Sequence, residues 1–221
     1  MTLPLLSLLE TRVLGVLVEK QYTVPDTYPL TLNSLVSGCN QKTSRDPVLN
    51  ASDAEVQAVI DHLRSLSLIV ESSGGRVQRY AHNTERVLGV PTQSVALLAT
   101  LMLRGPQTAA ELRANCERLH RFADASAVEG FLNELAERSA GSLVVLLPRA
   151  PGSREPRWAH LLSGPPVIDY TPAVTTTESP ADVTVGEIVA MKANIDQLTA
   201  EVEALRATVA RICAELGIST P

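Results

Sequence analysis

The sequence predicts a mainly α chain with small β-hairpins, an α+β class, in which one unit is built twice and a helical tail follows. Three observations carry this. Arg79-Tyr80-Ala81-His82 recurs as Arg157-Trp158-Ala159-His160. The pattern of Thr31-Leu32-Asn33-Ser34-Leu35-Val36-Ser37-Gly38-Cys39 recurs as Thr108-Ala109-Ala110-Glu111-Leu112-Arg113-Ala114-Asn115-Cys116. A heptad repeat occupies the C-terminal end. Each copy reads helix, helix, helix, strand, strand, which is the order of a winged helix. The predicted architecture is therefore tandem winged-helix domains followed by a C-terminal coiled-coil helix. Its boundaries are residues 1–83, residues 84–162, a Pro-rich linker 163–183 and a heptad helix 184–217.

Ser7-Leu8-Leu9-Glu10 is a capping box: the Ser hydroxyl takes a free backbone N–H and the Glu carboxylate reaches back to another. A helix follows to about Lys20, with Val13, Leu14, Leu17 and Val18 as its buried stripe. Residues 21–29 form a loop, and Pro29 suits the first turn of a second helix that runs to Cys39. The polar run Asn40-Gln41-Lys42-Thr43-Ser44-Arg45-Asp46-Pro47 is a loop. Ser52-Asp53-Ala54-Glu55 is a second capping box, opening a third helix with Val56, Val59, Ile60, Leu63 and Leu66 inward. Leu68-Ile69-Val70 reads as a strand, Ser72-Ser73-Gly74-Gly75 as a turn, and residues 77–81 as the returning strand.

The second copy keeps this order. Leu14 and Leu17 match Leu98 and Leu101, Leu35 and Cys39 match Leu112 and Cys116, and Val56, Val59, Ile60 and Leu63 match Val128, Phe131, Leu132 and Leu135. Length differences fall only in the connections, as in a duplicated fold. The largest in the second copy is the hairpin tip around Pro148-Arg149-Ala150-Pro151-Gly152-Ser153-Arg154.

The linker carries Pro165, Pro166, Pro172 and Pro180, which favour an extended chain. Beyond it, Ile188, Ile195, Val202, Val209 and Leu216 stand at heptad position a, and Met191, Leu198, Leu205 and Ile212 at d. β-Branched residues at a with Leu at d favour a parallel pair of helices. Glu187 and Glu201 at g then face Lys192 and Arg206 at the partner's e positions. Homodimerisation through Ile188, Met191, Ile195, Leu198, Val202, Leu205, Val209 and Ile212 is the expectation. The alternative is a single amphipathic helix packed on its own body.

Composition narrows function. The net charge is −5. It resides in residues 163–221, where three cations meet eight anions, whereas the repeated part is close to neutral. No segment has the strong positive field of an avid nucleic-acid binder. Cys39, Cys116 and Cys213 are too scattered for a disulfide framework or a zinc site and read as core residues. The longest apolar stretch, residues 95–103, is too short to span a bilayer, and residues 1–10 lack the features of a signal peptide. The expectation is a cytoplasmic protein with no membrane partner.

The histidines His62, His82, His120 and His160 form no nucleophile–base pair, and no phosphate-cradling Gly loop appears. No catalytic, cofactor-binding or metal site is expected. The leading expectation is DNA binding of a transcription-regulator-like kind, with double-stranded DNA contacted by Asn40, Gln41, Lys42, Ser44, Arg45, Arg64, Arg76 and Arg79. These supply the cations and amides that phosphates and base edges require. Asp53, Glu55 and Asp61 on the same third helix weigh against it, and the second copy exposes Glu129, Glu134 and Glu137 there. Tandem winged helices acting as a protein–protein adaptor, without DNA, are the alternative. Hydrolase-like chemistry between the repeats is a third and weaker reading.

Residues 19–35, continuing through Cys39-Asn40-Gln41-Lys42 to Arg45-Asp46-Pro47-Val48, resemble the YceH family of bacterial proteins. The resemblance runs from about Ser7 to Leu162. It implies tandem winged helices and brings no reaction, ligand or functional residues with it.

Overall fold

The computed structural model describes residues 4–72, 77–149 and 153–166. They belong to one compact unit, Met1–Ala173. The linker beyond residue 166 and the heptad residues lie outside the described residues.

The first half contains α1 (Leu8–Thr23), α2 (Leu32–Cys39), α3 (Asp53–Ser65), β1 (Ile69–Ser72) and β2 (Arg79–His82). A short α4 (Thr84–Leu88) leads into the second half, which contains α5 (Thr92–Arg104), α6 (Ala109–Cys116), α7 (Ala125–Ala136), β3 (Val144–Leu146) and β4 (Trp158–His160). The order read from the repeat is thus present twice. Both anticipated capping boxes form, at Ser7–Glu10 and Ser52–Glu55, and a third forms at Thr108–Glu111. Gly89, at φ +62°, ends α4 in the left-handed conformation that glycine adopts most cheaply.

Each hairpin is an antiparallel pair, β1 with β2 and β3 with β4. Each gains a third, one-residue strand just before the second helix. Leu30 exchanges both backbone hydrogen bonds with Tyr80, and Gln107 does the same with Trp158. Pro29 therefore does not open α2. It precedes this bridge, and Thr31 caps the helix instead, its hydroxyl accepting from the Ser34 N–H. Strand pairing satisfies the backbone of residue 30, which a helix start would leave free.

The two halves share one apolar core. Its seam is α1 against α5. Residues 10–18 of α1 are all buried, as are residues 94–103 of α5. A helix buried around its whole circumference needs no polar face; α1 has its own α2 and α3 on one side and α5 on the other. Val13, Leu14, Val16, Leu17 and Val18 are fully buried, worth about 1.5–3 kcal/mol each relative to exposure. Gly15 permits the close approach: a Cβ there would lie 3.0 Å from Leu103. The segment before α1 also meets the segment after β4, since Leu6 N–H donates to the Leu162 carbonyl at 2.8 Å.

Candidate interaction surface

The polar loop 40–47 is held in place by the fold on every side. Arg45 is buried, and its guanidinium grips both oxygens of Glu19 at 3.1 and 2.6 Å. It also donates to the Gly38 carbonyl, the Ser44 carbonyl and the Gln41 side chain. Arg12, fully buried in α1, donates to the carbonyls of Cys39 and Pro47 at 3.1 and 2.6 Å. Two guanidiniums thus cover the C-terminal carbonyls of α2, where the helix dipole favours positive charge. Burial, then the neighbouring charge of Arg45, pushes the Arg12 pKa below its ordinary value. Burial pushes the Glu19 carboxyl up, but the hydrogen bonds and charge of Arg45 outweigh it and hold it below the usual range. Burial also drives the Cys39 thiol up to about 12, so it stays protonated.

The same loop fastens the first half to the second. Asp46 N–H donates to the Leu103 carbonyl at 2.8 Å, and Arg104 donates to the Ser44 hydroxyl at 2.7 Å. Asn40 makes a two-way bond with the backbone of Ala51.

Each proposed DNA contact can now be placed. Asn40, Ser44 and Arg45 are engaged inside the loop. Gln41 is exposed and accepts from Arg45 and Lys20. Lys42 is exposed at the loop surface. Arg64 is paired with Glu71 at 2.7 Å and Asp61 at 3.6 Å. Arg79 donates to the carbonyls of Thr27 and Pro29, bracing the hairpin against the turn before α2. Arg76 lies outside the described residues. The structure thus joins Asn40, Gln41, Ser44 and Arg45 in one loop, but by bonds to one another and to the core. The dimerisation residues Ile188, Met191, Ile195, Leu198, Val202, Leu205, Val209 and Ile212 lie outside the described residues as well.

The exposed faces of the third helices are acidic. On α3, Asp53, Glu55 and Asp61 are exposed beside Arg64 and His62, and His62 is hydrogen-bonded to Glu10 of α1. On α7, Glu129, Glu134 and Glu137 are exposed, with Asn133 among them. Exposed cations in the second half sit elsewhere, at Arg86 on α4, at Arg118 and Arg121 after α6, the latter 3.5 Å from Glu117, and at Arg149 and Arg154 on the hairpin. Arg113 is held by the carbonyls of Phe122 and Ala123, and Arg157 by Glu111 and the Pro106 carbonyl.

His82 and His160 end β2 and β4 at matching positions, and burial pushes both down to about 4. Each is therefore neutral at pH 7. The His82 backbone N–H donates to the Tyr28 hydroxyl. These are packing residues of the hairpin ends.

Two clefts flank the hairpins. A wide one, about 1130 Å³, runs past Leu66, Ile69, Val70, Arg86 and Val87 in the first half. A smaller one, about 270 Å³, lies between α7 and the second hairpin, with Glu129, Asn133 and Glu155 on its sides and Leu146 and Trp158 below. Among the described residues no cluster of His, Cys, Asp and Glu is arranged to hold a metal ion. Among them, too, no helix is long and apolar enough to cross a membrane.

The model of a family described as "Protein of unknown function, DUF480" matches residues 6–153. The chain belongs to this family. It is 62% identical over 217 residues to a UPF0502 protein of Methylibium petroleiphilum, covering 98% of this chain and 92% of that one. A UPF0502 protein of Leptothrix cholodnii is 59% identical over 211 residues, 95% of each chain. One of Dechloromonas aromatica is 60% identical over 204 residues, 92% of this chain and 94% of the relative. The family match agrees with the resemblance to YceH proteins carried by residues 19–48. Within that stretch Arg45 is buried and ties the loop to Glu19 and Gly38, whereas Gln41, Lys42 and Thr43 are exposed.

Proposed function

We propose that this DUF480 protein is a non-enzymatic adaptor, in which two fused winged-helix units present their third helices to a protein partner. The carrying observation is the sign of the charge on those helices. A helix that reads a major groove must approach phosphates, and it does so with Lys, Arg and amides. Here α3 and α7 expose Asp53, Glu129 and Glu134, with Glu137 at the end of α7, and also Glu55 and Asp61, which are bonded to Ser52 and to Gln57 and Arg64. The nearby cations Arg45, Arg64 and Arg79 are already bonded to the protein itself. Acidic helix faces on a rigid body suit a partner that brings positive charge, which such faces steer and select. Pairing of the heptad helices would present the surface in two copies and add avidity.

DNA binding by a regulator-like protein is the second reading. It is favoured by Lys42, Arg149 and Arg154, which are exposed and cationic on a loop and on a hairpin of the kind that touches DNA backbones.

Titration of a labelled duplex with the full-length protein at 50–200 mM salt separates the two, a range over which roughly 6–10 phosphate contacts weaken binding by about 10³–10⁵. The adaptor reading expects no duplex binding in the micromolar range at low salt. Tight binding that falls steeply with salt, and that weakens when Lys42, Arg149 and Arg154 are replaced by Ala, would replace it with the DNA reading.

A further inference from the structure

We infer that the cleft between α7 and the second hairpin seats a basic segment of the protein partner, with an arginine or lysine side chain entering between Glu129 and Glu155 over Trp158. This rests on the adaptor reading and names the chemistry that the partner brings.

The first argument is charge. Glu129 and Glu155 stand on the cleft wall, and no cation is among its lining residues. Arg154 is exposed one residue before Glu155, and Arg157 on β4's approach is turned to Glu111 and the Pro106 carbonyl. A phosphate would be repelled here. A guanidinium or ammonium meets two carboxylates and the Asn133 amide.

The second argument is the floor. Leu146 is 45% exposed and stands directly opposite Trp158 in the β3–β4 register. Trp158 itself is buried and shows only an edge to the cleft, so a guanidinium or the stem of a lysine packs mainly on Leu146 while its head reaches the carboxylates.

The third argument is divergence between the two copies. Repeat equivalence places Leu32 where the second half has Ala109, Gln57 where it has Glu129, and Glu71 where it has Leu146. In the first half Leu32 packs against the core, and Gln57 bonds along its own helix to Asp61. In the second half the small Ala109 leaves the cleft open. The hairpin insertion brings Glu155 and Pro156 to its side. Space, charge and wall thus changed together at one place.

The test uses Trp158, the sole tryptophan of the chain, as the reporter. Full-length protein is titrated with octaarginine amide while its emission is followed, with octaglutamate and a duplex DNA as parallel probes. A saturable, salt-sensitive change with octaarginine alone is expected. The apparent affinity should fall at least about tenfold in Glu129→Gln/Glu155→Gln. Ala109→Leu should also abolish the response, since a larger side chain on the cleft lining takes up its space without altering charge. Binding to the acidic tail would leave both variants unchanged. An emission that octaarginine does not move, or moves equally in both variants, overturns the assignment. If octaarginine and duplex are both inert, only the cleft is refuted. Duplex binding that falls with salt refutes the adaptor reading itself.

Discussion

Two glycine-to-alanine substitutions in helices should shift stability in opposite directions. Gly38 lies in α2, and a Cβ built there would sit 2.6 Å from Val16 Cγ1. Attractive carbon–carbon contact begins near 3.5 Å, so the shortfall is about 1 Å. Val16 is fully buried in α1, beside the α5 seam, and its β-branched side chain has little rotamer freedom to yield. Overpacking of this kind costs about 1–3 kcal/mol. Alanine returns about 1 kcal/mol in helix propensity. Gly38→Ala should therefore destabilise by up to about 2 kcal/mol. Gly130 lies on exposed α7, with nothing within 4 Å of its built Cβ. Only the propensity gain operates there, and Gly130→Ala should stabilise by about 0.5–1 kcal/mol. Urea denaturation gives both numbers, provided the slope is unchanged so that midpoints report stability alone. Midpoints that rise together would refute the close approach of α2 to α1. A fall in both would refute the open surface at Gly130.

Arg45→Ala should lower stability by about 2–3 kcal/mol, because the Gly38 carbonyl loses its donor and Glu19 keeps Lys20, at 3.1 Å, as its cation; adding Glu19→Gln should recover part of that loss in a denaturation cycle. Acid should weaken the fold before its carboxylates titrate. Above pH 6.5 His82 and His160 are neutral whether folded or not. As pH falls from 6.5 to about 4, the unfolded chain takes up protons that the folded imidazoles refuse, removing up to about 3 kcal/mol per histidine. His82→Phe/His160→Phe should flatten stability across that window. The loss below pH 4.5 should remain, because Glu10 and Glu19 are held low in the folded state. For the tail, Leu198→Glu/Leu205→Glu should sediment as a monomer while the parent chain sediments as a dimer, and a monomeric parent would dispose of heptad pairing.

Much of the fold was legible because its signals are local. The capping boxes at Ser7 and Ser52 mark helix starts, and the spacing of Val56, Ile60 and Leu63 gives the inner side of α3. The repeat added what periodicity alone lacks, by aligning Tyr80 with Trp158 and Cys39 with Cys116. What escaped was long-range. Arg12 interrupts an apolar helix, yet nothing nearby in sequence shows that carbonyls 27 and 35 residues away converge on it. The loop 40–47 reads as solvated because its residues are polar, whereas its partners Glu19, Leu103 and Arg104 come from α1 and α5. A stripe of four residues predicted one buried side for α1, but a duplicated neighbour covers the other. The one-residue strands at Leu30 and Gln107 are too short for alternation to reveal. The sequence marked Glu129 as an exposed acid of the third helix but held no sign of Glu155, since only the folded hairpin brings it beside α7.

The glycine at position 15 gives the α1–α5 seam a further meaning. Because α3 packs on α1, α1 on α5 and α5 on α7, the interval between the acidic faces of α3 and α7 is set through that seam, like marks on a ruler. A ligand that spans both must match that interval. One that fits a single ledge gains nothing from its twin. A bulky residue at Gly15 would push against Leu103 and spread that interval.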